Sequence, residues 1–538
     1  MFRKMTSLLG TLALVSTGAL AQSTLGTILG TVTDASGAVI ANCKVKITNT
    51  DEGTSRTFTT DANGNYEAVN SKPDHYSIEA SDAGFKTENV ENLELVARQT
   101  LRVDLTLQLG QVTQQVEVQA TPGVITTETE TVSATYNALQ ITNLPTNYRA
   151  SGNGNSPYFL LSILPGMQSD NNGNLSIQGG LQSQSQFTVD GISTTDTTGN
   201  QPLRNAFPSA ESLAEIKVQG VGSPAEFGDP GDVTTISKSG TNTLHGSAFW
   251  YHQNAALDAI PFGAPLKPAK IANDFGGSAG GPVVIPHVYN GKNRTFFFGT
   301  FEGFRLPRTG VIKNRVPTQA MRNGDESYLC SSGFDASGIC KDRDEAGNVI
   351  DQLVNPFNGQ PFPNDQITTP INSVSQKILS LYPLPNNGLP FPNINYNVNV
   401  PANYSSNGFD ARGDQYFGRK LSIFGRYTYK NITQLSPTEL LFPSTSNFEH
   451  VRMLVTSATY TIKPALLDEF RFGYTDDHFG GSNPFKGQAF SSSLGLDNIQ
   501  QNIFFNGVTE VDFNSLTSLN VDRLTGINQS RTIEFNDN

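Results

Sequence analysis

Apolar and polar positions alternate along most of the chain, and the alternation changes character near residue 240. Before that point it comes in short runs. Cys43, Val45 and Ile47 alternate with Lys44, Lys46 and Thr48. Leu101, Val103, Leu105, Leu107 and Leu109 alternate with Arg102, Asp104, Thr106 and Gln108. A period of two marks a strand with one buried face. The turn sequences Ala35-Ser36-Gly37 and Asp61-Ala62-Asn63-Gly64 punctuate these runs. About seven short strands over 26–109, with Cys43 on one of them as a buried thiol, predict a β-sandwich. Beyond 244 the runs are longer and aromatic. In 421–429, Leu421, Ile423, Tyr427 and Tyr429 share one face, and Ser422, Arg426 and Thr428 the other. In 468–474, Phe470, Phe472 and Tyr474 oppose Glu469, Arg471 and Gly473. Apolar-out and polar-in is the pattern of a transmembrane barrel strand, although a soluble sandwich also alternates. Further strands are expected at 244–252, 273–284 and 295–304.

Between these two regimes, 123–238 mixes element types. A short helix is expected at 136–141, stopped at Leu144-Pro145. A second starts with Ser156 as cap and Pro157 at its first position. Strands are expected at 175–180 and 187–191, a short helix near 210–214, and strands at 215–219 and 233–237. The polar turn 238–242 then opens the first aromatic strand. From 305 to about 415 runs a segment rich in Pro and Asn. Its one amphipathic helix places Ile371, Val374, Ile378 and Leu381 at helical spacing and ends at Pro383. So long a loop is out of place in a compact domain, and acceptable outside a barrel.

Composition narrows the class. The chain has 538 residues, 37% of them hydrophobic and 16% charged, with 50 Gly and a net charge of −12. That charge argues against a nucleic-acid partner, which selects a basic footprint. Arg3 and Lys4, the apolar run 8–15 and Ala19-Leu20-Ala21 form a secretory signal with cleavage expected between Ala21 and Gln22. There is no other apolar run of membrane-helix length. Export makes a disulfide between Cys330 and Cys340 plausible; they lie in one polar loop.

Three groups of motifs carry a resemblance. GTILGTVTDASGAVIANCKVKITNT, TDANGNYEAV and YSIEASDAGFKT resemble the carboxypeptidase regulatory-like domain, a prealbumin-like sandwich that is not catalytic. ITNLP, SILPGM, LSIQGG, FTVDGI, ESLAEIKVQ, SPAEFGDPGDVTTISKSGTN and LHGSAFWY resemble the plug of TonB-dependent outer-membrane receptors. NGQPFPNDQI and KILSLYPLPN resemble the Oar-like group of those receptors. Leu181 after LSIQGG, where many relatives have Arg, and Val233-Thr234-Thr235 depart from the pattern. The resemblance implies a fold that is mainly β: a prealbumin-like sandwich, an α+β plug, and the first part of a transmembrane β-barrel. The expected division is 1–21 signal peptide, 22–109 sandwich, 110–122 linker, 123–240 plug and 241–538 partial barrel with long extracellular loops. In the linker, Val116, Glu117 and Val118 are the candidate contact to a TonB-type energy transducer. An ordinary linker strand is the other reading.

With about six to eight wall strands, the expected barrel is incomplete. A plug of about 115 residues has a radius of gyration of ~13 Å. Eight-stranded barrels are filled by their own side chains, whereas plugged transporters use about 22 strands. The chain is therefore expected to be truncated.

Catalytic chemistry is not expected. Gly276-Gly277-Ser278-Ala279-Gly280 matches G-x-S-x-G but lacks the helix that a nucleophile elbow needs. Asp476-Asp477-His478 reads as a loop turn, and Arg412-Gly413-Asp414 as an exposed tripeptide. Neither a metal nor a cofactor is called for. The leading expectation is a receptor that imports a scarce small-molecule, siderophore, peptide or oligosaccharide ligand, in contact with outer-membrane lipid. A non-transporting adhesive barrel and a secreted glycan-active protein are the alternatives.

Overall fold

Most of the alternating runs become strands, because each can bury one face and pair along an edge; the run 101–109 breaks into two short strands, Thr100–Arg102 and Leu105–Leu107, and leaves Leu109 exposed. The structure, a computed structural model, describes residues 24–110, 115–119, 133–144, 155–169, 175–181, 183–195, 205–220, 231–418, 420–438, 444–463, 466–482, 490–496, 510–519 and 526–537. The expected cleavage site at Ala21 and Gln22 lies outside the described residues.

The sandwich contains β1 (Gly26–Asp34), β2 (Lys44–Asn49), β3 (Thr54–Thr59), β4 (Asn65–Ser71), β5 (Asp74–Ser81), β6 (Thr87–Leu95), β7 (Thr100–Arg102), β8 (Leu105–Leu107) and β9 (Gln115–Gln119). One sheet is ordered β4-β1-β7, with β8 also on β1. The other is ordered β3-β2-β5-β6-β9. Ile28, Val32, Val45, Ile47, Ile78, Leu101, Leu105 and Leu107 fill the space between them. Cys43 is buried, but it sits just before β2 rather than on a strand. Burial pushes its thiol up to about 11.

The next layer is a sheet ordered β10-β15-β16-β13-β14. Its elements are β10 (Ser133–Asn137), a small hairpin of β11 (Met167–Ser169) and β12 (Leu175–Ile177), β13 (Ser185–Val189), β14 (Ile192–Ser193), β15 (Leu213–Gln219) and β16 (Gly231–Ser237). Tyr136 lies in β10, not in the expected helix. The helix is Ala138–Asn143, because Asn137 accepts from the Gln140 amide and the Gln140 side chain bonds back in a capping box. Residues Pro157–Ile163 form a 3-10 helix, and the Ser156 side chain makes no cap bond. Its Tyr158, Leu160 and Leu161 join Phe187, Leu213, Ile216 and Val233 in a second core.

The remaining strands are β17 (His245–Asn254), β18 (Ile271–Pro282), β19 (Val284–Ile285), β20 (Tyr289–Asn290), β21 (Thr295–Leu306), β22 (Thr309–Asn314), β23 (Tyr396–Pro401), β24 (Tyr404–Phe417), β25 (Leu421–Ser436), β26 (Thr445–Lys463), β27 (Leu466–Ser482) and β28 (Ile527–Asp537). Eight of them form one antiparallel wall ordered β17-β18-β21-β24-β25-β26-β27-β28. Most exceed the ~9–11 residues that a tilted strand needs to cross a bilayer. No described helix is long and apolar enough to cross.

The two faces of the wall differ as the alternation predicts. Trp250, Phe301, Phe409, Ile423, Tyr427, Phe470, Ile533 and Phe535 are exposed on the outside. Glu302, Asp410, Arg412, Arg426, Lys430, Glu469 and Arg471 are buried on the inside. Strands follow one another closely at one end: β24 ends at Phe417 and β25 begins at Leu421. At the other end stands the long segment from 307 to 403, which is ordered: β22 pairs β23, and Val316, Tyr382 and Tyr396 make a small core. Helix Ser373–Ser380, capped by the Asn372 side chain, packs Ile378 against that core, with Leu381 just beyond it. A disulfide joins Cys330 and Cys340, with Cα atoms 5.6 Å apart.

Two local expectations are overturned. Asp476, Asp477 and His478 lie within β27, not in a loop turn. Asp476 pairs with Arg531 of β28 at 3.0 Å, and His478 packs on Phe448. Arg412-Gly413-Asp414 is not exposed. It runs through β24 with both charged side chains turned inward and buried, because the alternation aims them at the sheet inside the wall.

Candidate functional site: a plug seated by buried charge

The turn between β13 and β14 carries the centre of the site. Asp190 and Gly191 both take positive φ, 51° and 80°, which suits the Asp-Gly pair of a tight hairpin. The turn drives the Asp190 carboxylate into the inner face of the wall. Oδ2 accepts from Arg426 Nε at 2.6 Å, and Oδ1 lies 3.6 Å from Arg412 Nη1. Ser237, at the end of β16, donates its backbone N–H (2.9 Å) and its hydroxyl (2.8 Å) to the same carboxylate. Arg412 Nη1 in turn donates to Ser237 Oγ at 2.8 Å and is braced by Asp414. Burial pushes the Asp190 carboxyl up, but the two guanidiniums and the Ser237 bonds outweigh it and hold it below its ordinary value. A Cβ on Gly191 would overlap the Arg471 guanidinium, so glycine is required there by both conformation and space.

Other contacts hold the inner layer around this hub. Asp410 accepts from the Ser209 backbone N–H and from Thr300 Oγ1, both at 3.0 Å. Asn155 bonds Glu302, and Asn205 Nδ2 donates to Glu449 at 2.6 Å. The Lys430 ammonium lies 3.4 Å from the centre of the Phe207 ring, a cation–π contact. Ser193 N–H donates to Glu534 at 2.9 Å. The inner sheet is thus tied to five wall strands by polar contacts, beside one small buried apolar cluster in which its Val189 and Ala206 meet Val451 and Met453 of β26.

The sandwich meets the short-turn end. Glu52 pairs with Lys72 and accepts from Tyr416 of β24, each at 2.5 Å. Its backbone carbonyl accepts from Asn242, in the turn that joins β16 to the first wall strand. A cavity of about 330 Å³ lies between sandwich, inner sheet and wall, lined in part by Glu52, Lys72, Asp190, Arg412, Glu469 and Arg471. Arg471 donates to Thr24 at 2.8 Å and to Glu469.

The residues singled out from sequence fall in separate places. Val116, Glu117 and Val118 lie in β9, the edge strand of the sandwich sheet, parallel to β6 opposite Glu88, Asn89 and Val90. Cys330 and Cys340 lie in the long loop at the far end. Ser278 is mid-strand in β18, its hydroxyl 2.8 Å from that of Ser247 on β17. His75 Nδ1 lies 2.8 Å from Asp51, and Asp74 stands beside them. Asp190, Arg412 and Arg426 were not identified as a set. The signal was present as the polar stripe Ser406, Asp410, Arg412 and Asp414 at a period of two, together with FTVDG upstream.

Comparison with known proteins agrees with this architecture. Residues 236–538 match the outer membrane beta barrel domain family, and 27–108 match the carboxypeptidase regulatory-like domain. The chain is 28% identical over 302 residues to the TonB-dependent transporter Oar of Myxococcus xanthus, covering 54% of this chain and 27% of that protein. It thus spans about a quarter of that relative's length. Among solved structures, a ferric enterobactin receptor of Pseudomonas aeruginosa aligns with a TM-score of 0.38 at 12% identity, over 65% of this chain and 42% of the receptor. The siderophore receptor PirA of Acinetobacter baumannii aligns at 0.30 and 13%, over 69% and 52%. With the family model matching more than half of its length, the chain belongs to the outer membrane beta barrel domain family.

Proposed function

We propose that the protein is a ligand-gated importer whose inner sheet, 123–240, is a plug closing the lumen of the wall begun by 241–538. The observation that carries this reading is the Asp190–Arg412–Arg426–Ser237 network. It fastens a domain with its own main core to the inner face through bonds that water can replace, beside only a four-residue apolar cluster shared with the wall. A plug that must move is better held in this way than by a continuous apolar core. Barrels of this kind carry short periplasmic turns and long extracellular loops, so the sandwich faces the periplasm and the disulfide-braced loop faces outward. A scarce small-molecule, peptide or oligosaccharide ligand would be held by the outer loops and the plug. Energy for its release inward would come from a TonB-type transducer pulling on a segment that includes Val116, Glu117 and Val118.

The test is uptake by cells expressing the full-length protein with and without residues 113–120. The probes are radiolabelled ferric siderophores and labelled oligosaccharides. Uptake of one probe that falls to the level of cells lacking the protein upon deletion supports the reading. Uptake unchanged by deletion removes energy coupling through this segment. Surface binding of a probe without any uptake favours the adhesive alternative.

A further inference from the structure

We infer that the sandwich turn 96–99 is a latch on the plug: it grips two neighbouring strands of the plug sheet, β15 and β16, and the plug leaves its seat only after this grip opens. The inference rests on the reading of 123–240 as a moving plug.

The turn follows β6 directly and reaches into the plug sheet. Arg98 Nη1 donates to Asp232 Oδ1 at 2.5 Å and to Gln219 Oε1 at 3.1 Å. Its neighbour Ala97 donates its backbone N–H to Glu215 at 2.6 Å and accepts from Lys217 Nζ at 2.5 Å. Glu215, Lys217 and Gln219 are alternate residues of β15, and Asp232 is on β16, so one turn engages one face of both strands. All four partners are buried, and the Arg98 side chain is 6% exposed. The turn is stiff: Val96 N–H donates to Gln99 Oε1, and Gln99 carbonyl accepts from Thr27 of β1. The grip therefore belongs to the sandwich frame rather than to a loose loop.

Two features make this a releasable contact. The sandwich and plug cores share no residue, so separating the domains tears no apolar cluster. A buried ion pair gains little net free energy over its hydrated halves, because desolvation offsets most of the attraction; water entering an opened latch solvates Arg98 and Asp232 again. The load path also converges here. β6 pairs β9, which holds Val116–Val118, through its first half, and passes into the latch at its other end.

The test is hydrogen exchange, by mass spectrometry, of the full-length protein in detergent micelles. Arg98→Ala and Asp232→Asn are each expected to speed exchange of Leu213–Gln219 and Gly231–Ser237 by about tenfold or more, with the sandwich strand Lys44–Asn49 unchanged. Should Arg98→Ala fail to fold, Lys217→Met removes one grip without deleting the arginine and is expected to act in the same direction. Exchange of the plug strands at the wild-type rate in the folded variants overturns the latch. So does an equal rise in Lys44–Asn49, which reports damage to the sandwich instead. Uptake is not the readout, so failure of the import reading and failure of the latch are seen separately.

Discussion

Asp190 illustrates how a single side chain can hold a domain in place. Two guanidiniums, one amide and one hydroxyl converge on it, and all sit away from water. Removing one partner of such a buried set takes a counter-charge away from the buried guanidiniums, at a cost of about 3–5 kcal/mol. Asp190→Ala is therefore expected to loosen the plug by that order, read as a lowered urea midpoint for plug unfolding while the wall's own transition is unmoved. Gly191→Ala is expected to act in the same direction, because its new methyl must displace Arg471; a midpoint equal to wild type contradicts the seat as drawn. At this scale the sequence was only half legible. Arg426 was read on the correct inward face from its alternation with Tyr427. The sequence alone places Arg412 in an exposed tripeptide, because a strand pattern names two faces without saying what fills the space inside. That information resides in Asp190, more than two hundred residues earlier in the chain.

Elements behave more predictably, and their boundaries report where local bonding wins. The helix expected to begin at Tyr136 starts after Asn137, since the capping box fixes its first turn and frees Tyr136 for pairing with Ile216. β15 carries two buried groups that titrate near neutrality. Burial pushes the Glu215 carboxyl up to about 7, against the opposing pull of the Ala97 amide and Lys217 and with the support of Glu94. Burial also pushes the Lys217 ammonium down to about 8. For Glu215 the folded state favours the protonated form, so its contribution to stability is complete below about 4.5 and is lost as pH rises through about 7. The plug strands are expected to exchange faster at pH 8 than at pH 5 after correction for intrinsic chemistry. Glu215→Gln is expected to remove most of that difference; a slope unchanged in the variant contradicts the assignment. In the outer loop, the Cys330–Cys340 bridge closes a short ring. Reduction is expected to cost that segment about 2–3 kcal/mol, seen as faster proteolysis within 325–366 with the wall's melting temperature unchanged.

On the scale of the whole molecule, three bodies, each with its own main core, meet mostly through polar contacts, with one small apolar cluster shared by the inner sheet and the wall. The mainly β architecture was legible from periodicity and motifs, because strands with one buried face write a period of two into the chain. How the bodies meet was not, since Glu52, Arg98 and Asp190 look like ordinary polar residues of turns. Their roles emerge only when distant strands bring Tyr416, Asp232 and Arg426 beside them. On the proposed reading, the lumen is closed by a domain that is fastened rather than fused. The most direct measurement is ionic conductance of the full-length protein in planar lipid bilayers, wild type against Asp190→Ala. A seated plug predicts a silent wild-type protein and bursts of ion flow in the variant. Free conductance by the wild type, or a variant as silent as the wild type, would contradict it.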